Sequence, residues 1–106
     1  MWWADLGEVG GREQAGQRPV VVVQADHLND RSTTIVVPFT TKTHHAGDNT
    51  AVPLPATETG LSQDGYALCL QLRVLDRGKL KGKAGQVSGV KMSEIETTVY
   101  FVLGLA

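Results

Sequence analysis

The stretch Gly11-Arg12-Glu13-Gln14-Ala15-Gly16-Gln17-Arg18-Pro19 gathers polar and charged side chains between two glycines and runs straight into Val20-Val21-Val22-Val23. An arginine at the head of an apolar strand has its backbone fixed. Its fork of donors can then grip a phosphate bidentately with less entropy lost than an arginine on a loose loop. Arg18 can equally pair with Glu13 or an aspartate at the surface, and the residue types alone leave both readings open. A second polar group, Thr40-Thr41-Lys42-Thr43, offers hydroxyls that can reach a phosphate oxygen and a lysine that supplies charge. His44 and His45 follow in a loop with Gly47, Asp48 and Asn49. Adjacent imidazoles seldom aim at one ion, and no cysteine or glutamate completes a ligand spacing, so no metal is expected. The single cysteine, Cys69, lies among Ala67, Leu68 and Leu70 and reads as a small buried hydrophobe, not a nucleophile. A disulfide scaffold is excluded. There is no phosphate-binding loop, nucleophile elbow or dinucleotide fingerprint.

These groups need a scaffold, and 106 residues, 42% of them hydrophobic, suffice for one domain over residues 1–106 without staples. Thirteen Val, ten Thr and two Ile favour a pleated surface, so the fold class expected is mainly β. Strands are predicted at Trp2 to Leu6, Pro19 to Gln24 (buried on both faces), Ser32 to Phe39, and Thr50 to Leu54, the last at an edge beside Pro53 and Pro55. Tyr66 to Leu75 alternates with a period of two and is predicted as one strand, with Gln71 and Arg73 on the same side. Met92, Ile95, Val99 and Val102 recur at helical spacing, so a C-terminal helix ending at Gly104 is predicted, with Ser88 or Ser93 as its N-cap.

The charge is nearly balanced, ten Lys and Arg against eleven Asp and Glu, which excludes non-specific coating of duplex nucleic acid. It is also unevenly placed. Met1 to Leu72 holds four basic and eight acidic residues, and Arg73 to Ala106 holds six and three, so −4 and +3 make up the net −1. Arg73, Arg77, Lys79, Lys81 and Lys83, interleaved with Gly78 and Gly82, form either a phosphate-holding stretch or a solvated turn. No run approaches the ~20 apolar residues of a membrane span, and the first residues lack a signal core. A cytoplasmic location without membrane association is expected.

Read in order, Trp3-Ala4-Asp5-Leu6, Gly11-x-Glu13-Gln14-x-Gly16-x-Arg18-Pro19 with its valine run, Val37-Pro38-Phe39-Thr40-Thr41, and Asp64-Gly65-x-Ala67-Leu68 with Gln71 and Arg73 downstream resemble the MazF/PemK toxin endoribonucleases. The match extends over essentially the whole chain. The resemblance implies an SH3-like barrel of the CcdB/MazF toxin type with a C-terminal helix. It implies a homodimer that cleaves single-stranded RNA without a cofactor and is neutralised by a cognate antitoxin. Arg18 and Thr40 match the family's catalytic arginine and threonine, and Glu13 and Gln14 its first loop beside the RNA groove. Gln17, Thr41, Lys42, Gln71 and Arg73 are further expected substrate contacts. The alternatives are a non-catalytic CcdB-like toxin, disfavoured because the chain ends Val102-Leu103-Gly104-Leu105-Ala106 without a tryptophan, and an SH3-like binding module.

Overall fold

The valine run is the spine of the fold. In the computed structural model, which describes residues 1–7, 16–24 and 28–105, β2 (Gln17–Val22) lies between β1 (Trp2–Asp5) and the long β3 (Thr33–Thr40). Both pairings are antiparallel, with Ala4 opposite Arg18 and Val20 opposite Pro38. Alternation then sends successive valines into two different cores. Val20 and Val36 pack with Ala4, Leu6 and Leu75 on one side. Val21, Val37 and Phe39 pack on the other with Val52, Leu54, Ala67, Cys69, Ile95 and Val99. A strand buried on both faces needs apolar residues at consecutive positions, which is why the run shows no alternation.

The order across the sheet is β4 (Ala51–Leu54), β5 (Gly65–Leu68), β3, β2, β1 and β7 (Leu80–Lys83), with β6 (Arg73–Asp76) also paired to β3. The mainly β class, the edge position of β4 and the C-terminal helix are as expected. Among the described residues the sheet does not close into the expected barrel, since its path ends at β4 and β7.

Two expectations are corrected. The predicted strand from Tyr66 to Leu75 is broken by a single 3-10 turn at Cys69–Gln71. The reason lies in the register against β3. Phe39 faces Ala67, whereas Val36 faces Arg73, so β5 and β6 follow the same edge of β3 with a three-residue offset that the turn absorbs. Because three is odd, the faces exchange across the turn. Ala67 and Arg73 therefore lie on opposite sides, and Leu70 and Val74, which one continuous strand would set on the face of buried Leu68, are 67% and 63% exposed. Secondly, the basic stretch is not a simple turn. After a 3-10 turn at Arg77–Lys79 it forms β7, which pairs Leu80, Gly82 and Lys83 with Ala4, Trp3 and Trp2. Leu80 anchors it against the smaller core.

The helix α1 (Gly89–Val102) buries Ile95 and Val99 against the larger core, with Met92 and Val102 flanking them. Ser88 is the N-cap, its Oγ accepting from the Lys91 amide at 3.2 Å. At the other end Gly104, at φ 75°, lets the Leu105 and Gly104 amides reach back to the Tyr100 and Phe101 carbonyls at 2.8 and 3.1 Å. That paired closure is the Schellman stop that a glycine permits.

Candidate active site

Arg18 and Thr40 are twenty-two positions apart in the chain and meet through the β2–β3 pairing. The pairing runs as far as Val20 opposite Pro38, and Arg18 and Thr40 each lie two residues beyond that pair on their own strands. Both residues line one depression of about 230 Å³, together with Trp3, Gln17, Pro19, Phe39, Thr41, Leu61, Ser62 and Gln63. Arg18 is exposed, while Thr40 is only 3% exposed. The Lys42 amide donates to Thr40 Oγ1 at 3.3 Å, so the hydroxyl accepts from the backbone and keeps its own proton to donate. Thr40 is held from the far side too, since its register partner on β5 is Tyr66.

The tightest constraint on this corner is Gly65. A Cβ at that position would collide with the Phe39 ring and the Thr40 carbonyl oxygen. Only the absence of a side chain lets β5 approach β3 closely enough to seat Thr40. The link from β4 to β5 is pinned as well: Asp64 Oδ1 accepts from the Ala56 amide at 2.7 Å, and Thr59 Oγ1 accepts from the Leu61 amide at 3.1 Å.

Of the remaining expected contacts, Gln17 and Thr41 line the depression, and Lys42 adjoins it through Thr40. Glu13 and Gln14 lie outside the described residues. Gln71 sits in the 3-10 turn and does not line the depression. Arg73 faces Val36, four residues along β3 from Thr40, or roughly 13 Å at the rise of a strand. Within the basic stretch, Arg77 Nε donates to the Arg31 carbonyl at 2.7 Å, Lys81 Nζ to the Gly78 carbonyl at 3.1 Å, and Lys83 Nζ to Gln86 Oε1 at 3.0 Å.

The histidines form a separate cluster. Their ring centroids are 4.0 Å apart, and His45 is 6.3 Å from the Tyr66 ring. Partial burial and the neighbouring His44 hold the His45 imidazole below its ordinary range, with Asp48 opposing them. Asp48 is itself held low by hydrogen bonds from the Thr50 amide and hydroxyl, at 2.9 and 2.8 Å. Cys69 is fully buried, its Sγ 4.0 Å from the Ile95 carbonyl, and burial pushes its thiol up to about 11. That is the environment of a packing residue, as expected. Trp3, Ser62 and Gln63 are members of the depression that residue-type reasoning missed. Two adjacent tryptophans in a chain only 6% aromatic were the available signal for Trp3.

A strand-borne arginine and a buried threonine thus line one small depression on an open antiparallel sheet with a C-terminal helix, and the comparisons with known proteins assign this fold to a class of small toxin. The family described as PemK-like, MazF-like toxin of type II toxin-antitoxin system matches residues 1–103, and the chain belongs to it. A Staphylococcus saprophyticus protein named Endoribonuclease MazF is 37% identical over 106 residues, 99% of this chain and 88% of that protein. Among solved structures, Mycobacterium tuberculosis toxin MazF-mt6 superposes with a TM-score of 0.79 at 18% identity, over 100% of this chain and 99% of that one. A mycobacterial endoribonuclease in complex with its cognate antitoxin gives 0.80 at 23% identity, over 99% and 91%. At these identities the two structures establish the fold.

Proposed function

We propose that this protein is an endoribonuclease toxin that cleaves single-stranded RNA without a metal, acts in the cytoplasm as a homodimer and is silenced by a cognate antitoxin. The observation that carries the reading is the meeting of Arg18 and Thr40 in one depression, at the positions where the family resemblance sets its catalytic pair. The 37% identical relative named as an endoribonuclease and the structural neighbour bound to its antitoxin support it.

In this mechanism the RNA 2′-oxygen attacks the adjacent phosphorus while the bond from phosphorus to the 5′-oxygen breaks. The products are a 2′,3′-cyclic phosphate and a 5′-hydroxyl. The 2′-hydroxyl proton passes to Glu13 or to water. The Arg18 guanidinium neutralises the phosphorane oxygens and hydrogen-bonds the departing 5′-oxygen, which takes its proton from water. The Thr40 hydroxyl donates to a non-bridging oxygen, its orientation fixed by the Lys42 amide. Arg73 and the Arg77–Lys83 stretch add positive charge along the RNA backbone. An acidic antitoxin segment suits the same surface.

Purified protein incubated with mixed RNA in EDTA, followed by sequencing of new 5′-hydroxyl ends, tests the reading. A defined cleavage motif is expected. Intact RNA would point to one of the protein-binding alternatives.

A further inference from the structure

The depression holds more than the reacting groups. Trp3 is 42% exposed, an unusual state for the largest apolar side chain. Its neighbours in register are Pro19 on β2 and Gly82 on β7. A Cβ built on Gly82 would meet nothing within 4 Å, so the indole does not cover that side; it lines the depression with Pro19. Ser62 and Gln63 line the same depression, on the connection pinned by Asp64 and Thr59. Both side chains are exposed, and no hydrogen bond engages either of them among the described residues.

We propose that this depression selects one nucleobase beside the scissile phosphate, Trp3 stacking on its face and Gln63, with Ser62, reading its edge. The inference rests on the endoribonuclease reading for its substrate. Single-stranded RNA is recognised by unstacked bases laid on aromatic rings, with donors and acceptors meeting their edges. A carboxamide offers both a donor and an acceptor, which an edge reader needs. The volume of about 230 Å³ falls below the usual range for drug-sized ligands and suits a single ring system. Because Arg18 and Thr40 line the same depression, a base seated there carries its own phosphate to them.

The test separates binding from cleavage. Four fluorescent 2′-O-methyl homo-octamers, of A, C, G and U, cannot undergo 2′-oxygen attack and report binding alone by anisotropy. The wild type is expected to bind them in a definite order of preference. Trp3→Ala should weaken all four about 5- to 150-fold, because stacking tolerates any base. Trp3→Phe should preserve most of the affinity, and Trp2→Ala, on the neighbouring position of β1, should leave it unchanged. Gln63→Ala should flatten the order of preference with a smaller loss of affinity. Failure of the wild type to bind any octamer overturns the proposal. So does Trp3→Ala binding as tightly as Trp2→Ala, or an unchanged order in Gln63→Ala. Binding with this pattern but no RNA cleavage would instead overturn the reaction and leave the base site standing.

Discussion

Replacing Gly65 with alanine tests how the scaffold seats the site. The new methyl would press on the Phe39 ring and the Thr40 carbonyl oxygen, and Phe39 is only 3% exposed within the larger core, so it has nowhere to turn. Restoring van der Waals distances requires β5 to move from β3 by about 1 Å. Overpacking of this kind costs about 1–3 kcal/mol. For a domain of this size that is a fall in melting temperature of roughly 4–20 °C. The same shift displaces Thr40, and a misplacement of about 1 Å at a reacting centre is worth on the order of 100-fold in rate. Gly78→Ala is the control, since a Cβ there meets nothing within 4 Å and its φ is not in the left-handed region. Thermal melting by circular dichroism and single-turnover RNA cleavage should both report the difference. A Gly65→Ala protein that melts within about 2 °C of wild type and cleaves at its rate would refute the argument that the β3–β5 approach positions Thr40.

Arg18→Ala and Thr40→Ala should each lower cleavage at least about 100-fold while the circular dichroism spectrum keeps its native shape; full activity in Arg18→Ala would remove the central claim. The Cys69 thiol, pushed up to about 11, should resist iodoacetamide at pH 8 until denaturant is added, as only about one molecule in a thousand is then thiolate. Its folded value lies above the ordinary thiol value, so its linked contribution to stability is full below pH 9 and is lost as pH rises toward 11, which urea melts across that range would follow. Ser88→Ala removes the helix cap and should cost about 1 kcal/mol in urea unfolding without altering the cleavage motif.

The parts of the fold legible in the sequence are those fixed by local pattern. Val20 to Val23 announce a strand covered on both sides, and Met92, Ile95, Val99 and Val102 announce the helix stripe. The break between β5 and β6 has no such signature, because the three-residue offset belongs to the pairing with β3. Leu68, Leu70, Leu72 and Val74 go on alternating through it regardless. β7 escaped notice because Leu80 is its one apolar anchor among lysines and a glycine. The site divides the same way. Arg18 and Thr40 stand at the ends of readable strands and belong to the motifs that carry the family resemblance, whereas Ser62 and Gln63 reach the depression only through the path of the β4–β5 connection.

An open sheet has outer strands whose unpaired amides and carbonyls invite another chain to add on. Here β4 carries Pro53, which lacks an amide hydrogen, and Pro55 follows just after it. At the other end β7 carries Lys81 and Lys83 around Gly82, whose φ of 141° departs from regular strand geometry. Prolines and lysines at such margins discourage strand-by-strand polymerisation. The chain therefore carries its own protection against aggregation on both flanks, and substituting valine at Pro53, Lys81 and Lys83 would convert those margins into templates for fibrillar growth.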